Sequence, residues 1–428
     1  MSSLDPSAPD SASAARRPRH VWHNRDLLTV LAGETVSDLG SEVGGLALPL
    51  AAVLALQATA GQMAALSVAE SLSRLLVGLV AGAWIDRLRR RPVLMSSSAA
   101  RAGLLLGVAG LAAWGVLRVE ALYGVVVLLA GLDVVFATAF LAYLPSLVPA
   151  AALGAASGAR ATSHAAASLI GPGLAGVLLQ VLGTPAALAL DGISFLASVA
   201  GLAVVHSPEP APPPPAQRRR LDSEVAEGVR TLLGDPILRA FAATAFTANG
   251  FYSVIMAIYV LYLSQTLALS PVAIGAIFGF GGGAGVLIGS AGATTVARRL
   301  GLGRTLVLAH LLFGLLGLPL ALSVVWPGFG AILVCLSECT QLGVNAVYMV
   351  NRQSLELAVT PAHLRGRVQA SQTVGHALSR VLGLTLGGLL GEHLGLSAAI
   401  IIGVLGGCTS VLWLWRSPIV RLRHLPDG

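Results

Sequence analysis

The sequence predicts an all-α membrane protein of twelve transmembrane helices, and three observations carry that prediction. The chain of 428 residues is 55% hydrophobic and only 11% charged, with a mean hydropathy of +0.80, where a soluble chain carries about 25% charged residues. Apolar runs of about 20 residues, the length of one helical crossing of a hydrocarbon core, recur from Leu27 to Trp415. Arginine concentrates in alternate breaks between those runs.

Glycine, proline and charged clusters break the chain into helices at 27–56, 62–84, 92–117, 121–145, 158–182 and 184–205. Six more follow at 237–264, 271–297, 305–325, 328–353, 366–391 and 396–416. This organises the chain as a tail (1–26), a six-helix bundle (27–205), a linker (206–236), a second six-helix bundle (237–416) and a short tail (417–428). The first tail, rich in Ser, Ala and Pro and carrying Arg16, Arg17 and Arg19, lacks the apolar stretch and cleavage site of a signal peptide and reads as disordered. The linker opens with PEPAPPPPAQRRR, a stiff extended spacer. Leu221, Val225, Val229, Leu232 and Leu233 then recur at helical spacing, as in a short interfacial helix.

Orientation follows from the loops. With the first tail inside, the inner connections hold Arg87, Arg89, Arg90, Arg91, Arg218, Arg219, Arg220, Arg298, Arg299, Arg304, Arg365 and Arg367, whereas the outer ones hold almost only Arg118. That asymmetry, together with Arg416, Arg421 and Arg423, places both termini in the cytoplasm of a multi-pass protein of the inner (plasma) membrane.

Composition also excludes classes. The net charge of +7 comes entirely from scattered Arg without any Lys, so it makes no basic domain for nucleic acid; anionic lipid headgroups are the expected surface partner. Cys335, Cys339 and Cys408 lie inside apolar spans with no histidine at ligand spacing, so neither a disulfide framework nor a metal site is implied, and no cofactor is expected. Without Lys there is no GxxxxGK phosphate loop, which excludes ATP hydrolysis within this chain. No nucleophile, base and orienting group share a span, so an enzyme is not expected.

An internal repeat accompanies the motifs. An offset of 212 superposes Ile85-Asp86-Arg87-Leu88 on Ala297-Arg298-Arg299-Leu300, and Gly171, Leu174 and Gly176 on Gly383, Leu386 and Gly388. Helix 2 runs into GLVAGAWIDRLRRRPVLM (Gly78 to Met95), in which Gly82 is followed by Asp86-Arg87 and the basic pair Arg90-Arg91. This segment resembles the signature loop of the major facilitator superfamily, although Arg89 stands where many members have Gly. GPGLAG (Gly171 to Gly176) resembles the antiporter signature of its exporting branches. ALPL (Ala47 to Leu50), YLPSLVP (Tyr143 to Pro149), DGISFLAS (Asp191 to Ser198), LAVTP (Leu357 to Pro361) and LRGRVQAS (Leu364 to Ser371) are similar to the actinobacterial drug-efflux and transmembrane-secretion-effector group, relatives of the enterobactin exporter and macrolide efflux proteins. The resemblance implies the major facilitator fold, two parallel six-helix halves with a substrate site between them at the membrane midplane.

Each motif also has a purely structural reading. Asp86, where helix 2 meets the cytoplasm, is a gate latch in the family reading, while the adjoining Arg run by itself satisfies the charge asymmetry. Gly171-Pro172 removes a backbone hydrogen bond and bends helix 5, while Gly173 and Gly176 permit close helix approach. A simple kink and a role in exporter gating fit equally.

Ionisable groups at bilayer depth cost at least about 2.5–3.5 kcal/mol each, so each needs a partner, a wet cavity or a proton. Glu34, Asp38 and Glu42 stand at i, i+4 and i+8 of helix 1, with Asp38 about 16 Å from Leu27 and near midplane. They form a carboxylate ladder along one face, suited to loading and unloading protons or a cation; the alternative is pairing with a membrane Arg such as Arg74 or Arg101. Glu70 and Arg74, four residues apart, neutralise each other. Arg101, Asp133 and Glu338 are read as lone groups facing the central cavity or a partner helix. Arg352 and Arg380, assigned to the inner ends of helices 10 and 11, snorkel or latch the inner gate. His164, His310 and His376 are packing residues first and proton relays second. Asn249, Tyr252, Met256, Tyr259, Gln341, Asn345 and Tyr348 mix apolar surface with polar groups, as a drug-like substrate requires.

The function expected is a secondary transporter, a monomer, exchanging protons for an outward-moving drug-like, secondary-metabolite or siderophore substrate by alternating access. A proton-coupled importer of a small nutrient and a lipid or glycolipid flippase share the fold and are the alternatives.

Overall fold

In lipid every backbone N–H and C=O must be satisfied within the chain, so apolar runs of this length fold as helices. A computed structural model describes residues 24–207, 209 and 221–422. Residues 1–23, the Pro-rich spacer apart from Glu209, Arg218, Arg219, Arg220 and Arg423 lie outside them. The helices are α1 (Arg25–Leu50), α2 (Ala60–Ile85), α3 (Arg90–Ala113), α4 (Val119–Leu147), α5 (Leu153–Ala203), α6 (Leu221–Gly234), α7 (Pro236–Leu261), α8 (Pro271–Ala276), α9 (Gly283–Leu300), α10 (Leu302–Leu315), α11 (Leu318–Leu322), α12 (Gly330–Val359), α13 (Arg365–His393), α14 (Leu396–Cys408) and α15 (Val411–Trp415). A π-helical segment, Ile277–Gly282, joins α8 to α9, and there is no strand among the described residues.

Eleven continuous helical stretches among these residues are long and apolar enough to cross a membrane. The longest element, α5, has 51 residues, about 76 Å at 1.5 Å per residue against a hydrocarbon core of about 30 Å. It is not one crossing. Gly183, with φ 78° and ψ 170°, interrupts it, and the chain doubles back there: Ser168 meets Glu42 of α1 on the way out, and Ser198 meets Glu34 on the return. Positive φ is strained for any residue with a Cβ, which is why glycine occupies the reversal.

The repeat recurs in three dimensions. α1 and α7 each end in a five-residue π turn, Ala51–Ala55 and Tyr262–Thr266. Each turn is followed by a non-glycine residue at positive φ, Gln57 at 51° and Ala268 at 50°. The next helix then starts on a side-chain cap, Thr59 in a capping box with Gln62, and Ser270 ahead of Pro271.

The apolar core is continuous at one end only. A single cluster joins Val43, Leu50, Met63, Leu105, Leu122, Leu179 and Leu188 to Ile255, Tyr262, Ile274, Leu320, Val334 and Leu384. Toward the Arg-rich end the cores are separate, one around Leu27, Leu94, Phe136 and Leu202, the other around Phe241, Leu306, Tyr348 and Leu355. α6 docks by Leu232 against Leu238 and Val368, and Gly228 lies against the Arg367 carbonyl of α13, leaving Val229 and Leu233 exposed.

Candidate functional site

The three carboxylates of α1 face α5, and the fold gives them different partners. Glu34 is buried and accepts from Ser198 Oγ at 2.5 Å, on the returning arm of α5. Asp38 is gripped through both oxygens by Arg160 Nη1 and Nη2 on the outgoing arm, with His164 Nδ1 at 3.7 Å. Glu42 accepts from Ser168 Oγ at 2.7 Å. The ladder is therefore divided, with its central rung in an ion pair and the other two holding hydroxyl groups. Its partner is neither Arg74 nor Arg101, as the sequence alternative proposed, but Arg160, which sits 122 residues away where no helical periodicity reaches.

Arg101 and Asp133, expected to face the central cavity or a partner helix, are bonded to each other at 2.8 Å. Arg101 is buried, bonds Ser98 Oγ at 3.2 Å, and lies 4.4 Å and 4.3 Å from the ring centroids of Phe136 and Phe195, a desolvated cation between two aromatic faces. Asp133 also accepts from Arg74 at 3.1 Å, and Arg74 from α2 holds Glu70 at 3.0 Å as its spacing predicted. The four groups form one chain, Glu70 to Arg74 to Asp133 to Arg101. They line a cavity of about 200 Å³ together with Ser41, Gly44, Met63, Leu122 and Asp191.

Asp191, the first residue of DGISFLAS, is a further membrane-embedded acid. It is buried, its Oδ1 has no hydrogen-bond partner, and it lies against Gly40 and Gly44 of α1, where a Cβ would collide with it or with neighbouring Ser194. A carboxylate in an apolar span was the available signal; Arg160, two residues past the expected start of its helix at 158, offered no comparable one.

Glu338, likewise expected to face the cavity or a partner helix, accepts from Tyr259 Oη of α7 at 2.6 Å and is buried. Asn345 lines a cavity of about 280 Å³ with Asn249, Tyr252, His310, Tyr348, Arg352 and His376. Met256 and Gln341 line a neighbouring cavity with Tyr252 and Glu338. His310 bonds Ser410 at 2.7 Å, a packing role. Arg352 does not snorkel. α12 continues to Val359, six residues past its expected end, so Arg352 is buried within it, bonded to Glu356 and Gln372 beneath Phe241. Arg380 is not at a helix end either but halfway along α13.

Helices from the two parts of the chain meet at the end opposite the Arg clusters. Gly176 of α5 lies against Pro271 and Val272, and Gly388 of α13 against Ala60 and Ala64 of α2. The two contacts are the same joint made twice, because Gly176 and Gly388 are related by the repeat offset. The profile of the Major Facilitator Superfamily matches residues 30–383.

The chain belongs to the Major Facilitator Superfamily. It is 27% identical over 381 residues to the multidrug efflux pump Tap of Mycobacterium tuberculosis, covering 86% of this chain and 88% of that one. It is 26% identical over 389 residues to Tap of Mycolicibacterium fortuitum, covering 87% and 90%. The crystal structure of a bacterial homologue of the iron transporter ferroportin in an inward-facing state superposes with a TM-score of 0.73 at 16% identity, over 92% of this chain and 98% of that one. The molecule is thus an integral membrane transporter of this superfamily for a small-molecule substrate.

The superfamily motifs sit at the two ends of the molecule. Asp86 is the exposed C-cap of α2, its N–H bonded to the Gly82 carbonyl at 3.1 Å, and Arg87 is exposed beside it. No heavy atom outside its own helix lies within 4 Å of where a Cβ on Gly82 would stand, so this conformation leaves that glycine unoccluded. The amides of Arg90 and Arg91 both donate to Glu209, and Arg91 Nη2 donates to the Ala203 carbonyl at 2.9 Å, tying the signature loop to the start of the linker. Gly171 lies against the Glu42 side chain, and Pro172 is accommodated within α5 without a break.

Proposed function

We propose that this superfamily member is a proton-coupled exporter of drug-like molecules, working by alternating access. Its helices are read as twelve crossings in two six-helix halves, 27–205 and 237–416, joined by the linker 206–236, with the Arg-rich end and both termini in the cytoplasm, acting as a monomer in the plasma membrane. The cores that separate toward the Arg-rich end and merge at the other fit a conformation open to the cytoplasm.

The observation that carries the reading is the divided helix-1 ladder. A carrier needs acids that can be occupied by a proton in one state and empty in another. Asp38 is already committed to Arg160, whereas Glu34 and Glu42 hold only serine hydroxyls. Glu34 is the proton-carrying residue in this reading. Asp38 with Arg160 fixes the registry of α1 on the outgoing arm of α5. Similarity to multidrug efflux pumps supports the outward direction, and the glycine joint between α5 and α8 supplies a surface on which the halves rock.

The test is proton-driven accumulation of a fluorescent drug in everted vesicles, comparing wild type with Glu34→Gln and Asp38→Asn. Glu34→Gln is expected to lower the rate at least about tenfold, equal to about 1.4 kcal/mol, and to flatten its pH dependence. Unchanged rate and unchanged pH dependence in both variants defeat the proposal, and loss of drug from the vesicles instead of accumulation would establish import.

A further inference from the structure

We propose that Arg380 is the anion-recognising residue of the substrate site, and that the molecules transported include amphiphiles carrying a free carboxylate. The inference rests on the transporter reading above but is carried by a separate observation. Arg380 lies in the middle of α13, about 20 Å from either helix end. It is exposed, although the apolar spans around it make this membrane depth. A cation there requires a partner or a wet cavity.

The other arginines at membrane depth have acids. Arg74 holds Glu70 and Asp133, Arg101 holds Asp133, Arg160 holds Asp38, and Arg352 holds Glu356. Among the described residues no carboxylate lies within ion-pair distance of Arg380. Among the described residues its one hydrogen bond runs from Nε to Ser71 Oγ of α2, at 3.0 Å. That bond crosses between the two parts of the chain and employs only the side donor of the guanidinium. The terminal nitrogens Nη1 and Nη2 remain, and their parallel N–H groups match the two oxygens of one carboxylate.

Arg380 lies beside the contact between the two parts of the chain. α2 and α13 touch where Gly388 meets Ala60 and Ala64. Eight residues nearer the Arg-rich end, Arg380 reaches Ser71, which is buried, so it stands on the α13 face turned toward α2. Ser379, the chain neighbour of Arg380, accepts from Asn249 Nδ2 of α7 at 3.0 Å, and Asn249 lines the cavity of about 280 Å³ with Tyr252, Phe313 and Met349. An apolar frame placed against that wall brings an attached acid to Arg380, and Ser71 keeps the guanidinium oriented meanwhile.

The experiment measures equilibrium binding, by fluorescence polarisation in lipid nanodiscs, of a rhodamine with a free carboxylate and of its ethyl ester, which share one dye frame. Wild type is expected to prefer the acid about tenfold, or about 1.4 kcal/mol. Arg380→Gln is expected to abolish that preference while leaving ester binding within about twofold, and Arg380→Lys to retain part of it. Ser71→Ala, which keeps the cation, should keep a preference for the acid. Equal binding of acid and ester to wild type, or equal weakening of both by Arg380→Gln, overturns the proposal. Uptake of the acid into everted vesicles is measured in parallel. Binding selectivity without uptake would refute the exporter reading and leave the site standing.

Discussion

At the scale of single residues, most of the membrane-embedded charges are paired, and several of the pairs are long-range. Arg101 satisfies Asp133, two aromatic rings and Ser98 at once. Arg101→Leu is expected to destabilise the protein by about 2 kcal/mol. That is below the usual cost of breaking a buried pair, because Asp133 is 39% exposed and retains Arg74. The readout is the midpoint of thermal unfolding in detergent, where Asp133→Asn added to Arg101→Leu should recover part of the loss. A midpoint equal to wild type would show that the pair contributes nothing. The acids were legible in the sequence because any carboxylate in an apolar run is conspicuous. Their partners were not, since Asp38 and Arg160, or Tyr259 and Glu338, lie on different helices far apart in the chain. Helical spacing revealed only the local pair of Glu70 and Arg74.

At the scale of elements, glycine decides which helices touch. A Cβ on Gly176 would overlap the Pro271 carbonyl oxygen, and one on Gly388 would overlap Ala64. Gly176→Leu should therefore wedge α5 away from α8 and oppose closure of that end, lowering export at least about tenfold, or about 1.4 kcal/mol, with the protein still folded and inserted. Maleimide labelling of a cysteine placed near Pro271, from the side opposite the Arg clusters, should rise in parallel. Undiminished export would remove the joint from the mechanism. The boundaries read from the sequence locate most of these elements, but α12 outruns its expected end by six residues. Residues 354–359, Glu356 among them, continue the helix instead, and the outcome for Arg352 reversed as a result.

At the scale of the whole molecule, the repeat legible at an offset of 212 reappears as glycine joints at that offset, and as π turns and positive-φ residues paired at an offset of 211. What sequence similarity could not supply was the conformation, since the same residues must serve every state of the cycle. The cores merge at one end only, so Ala60→Cys with Gly391→Cys, in a background lacking the native cysteines, should form a disulfide on oxidation and stop export until it is reduced. Failure to cross-link, or export that continues once cross-linked, would contradict this arrangement. The reversal at Gly183 has a mechanical consequence. Its two arms share a one-residue elbow, with Gly176 bearing on Pro271 near the elbow and Ser198 holding Glu34 at the far reach of the return arm. In the proposed rocking of the halves the hairpin would act as a bell crank, in which a push received at one arm is delivered as a change of grip on an acid at the other.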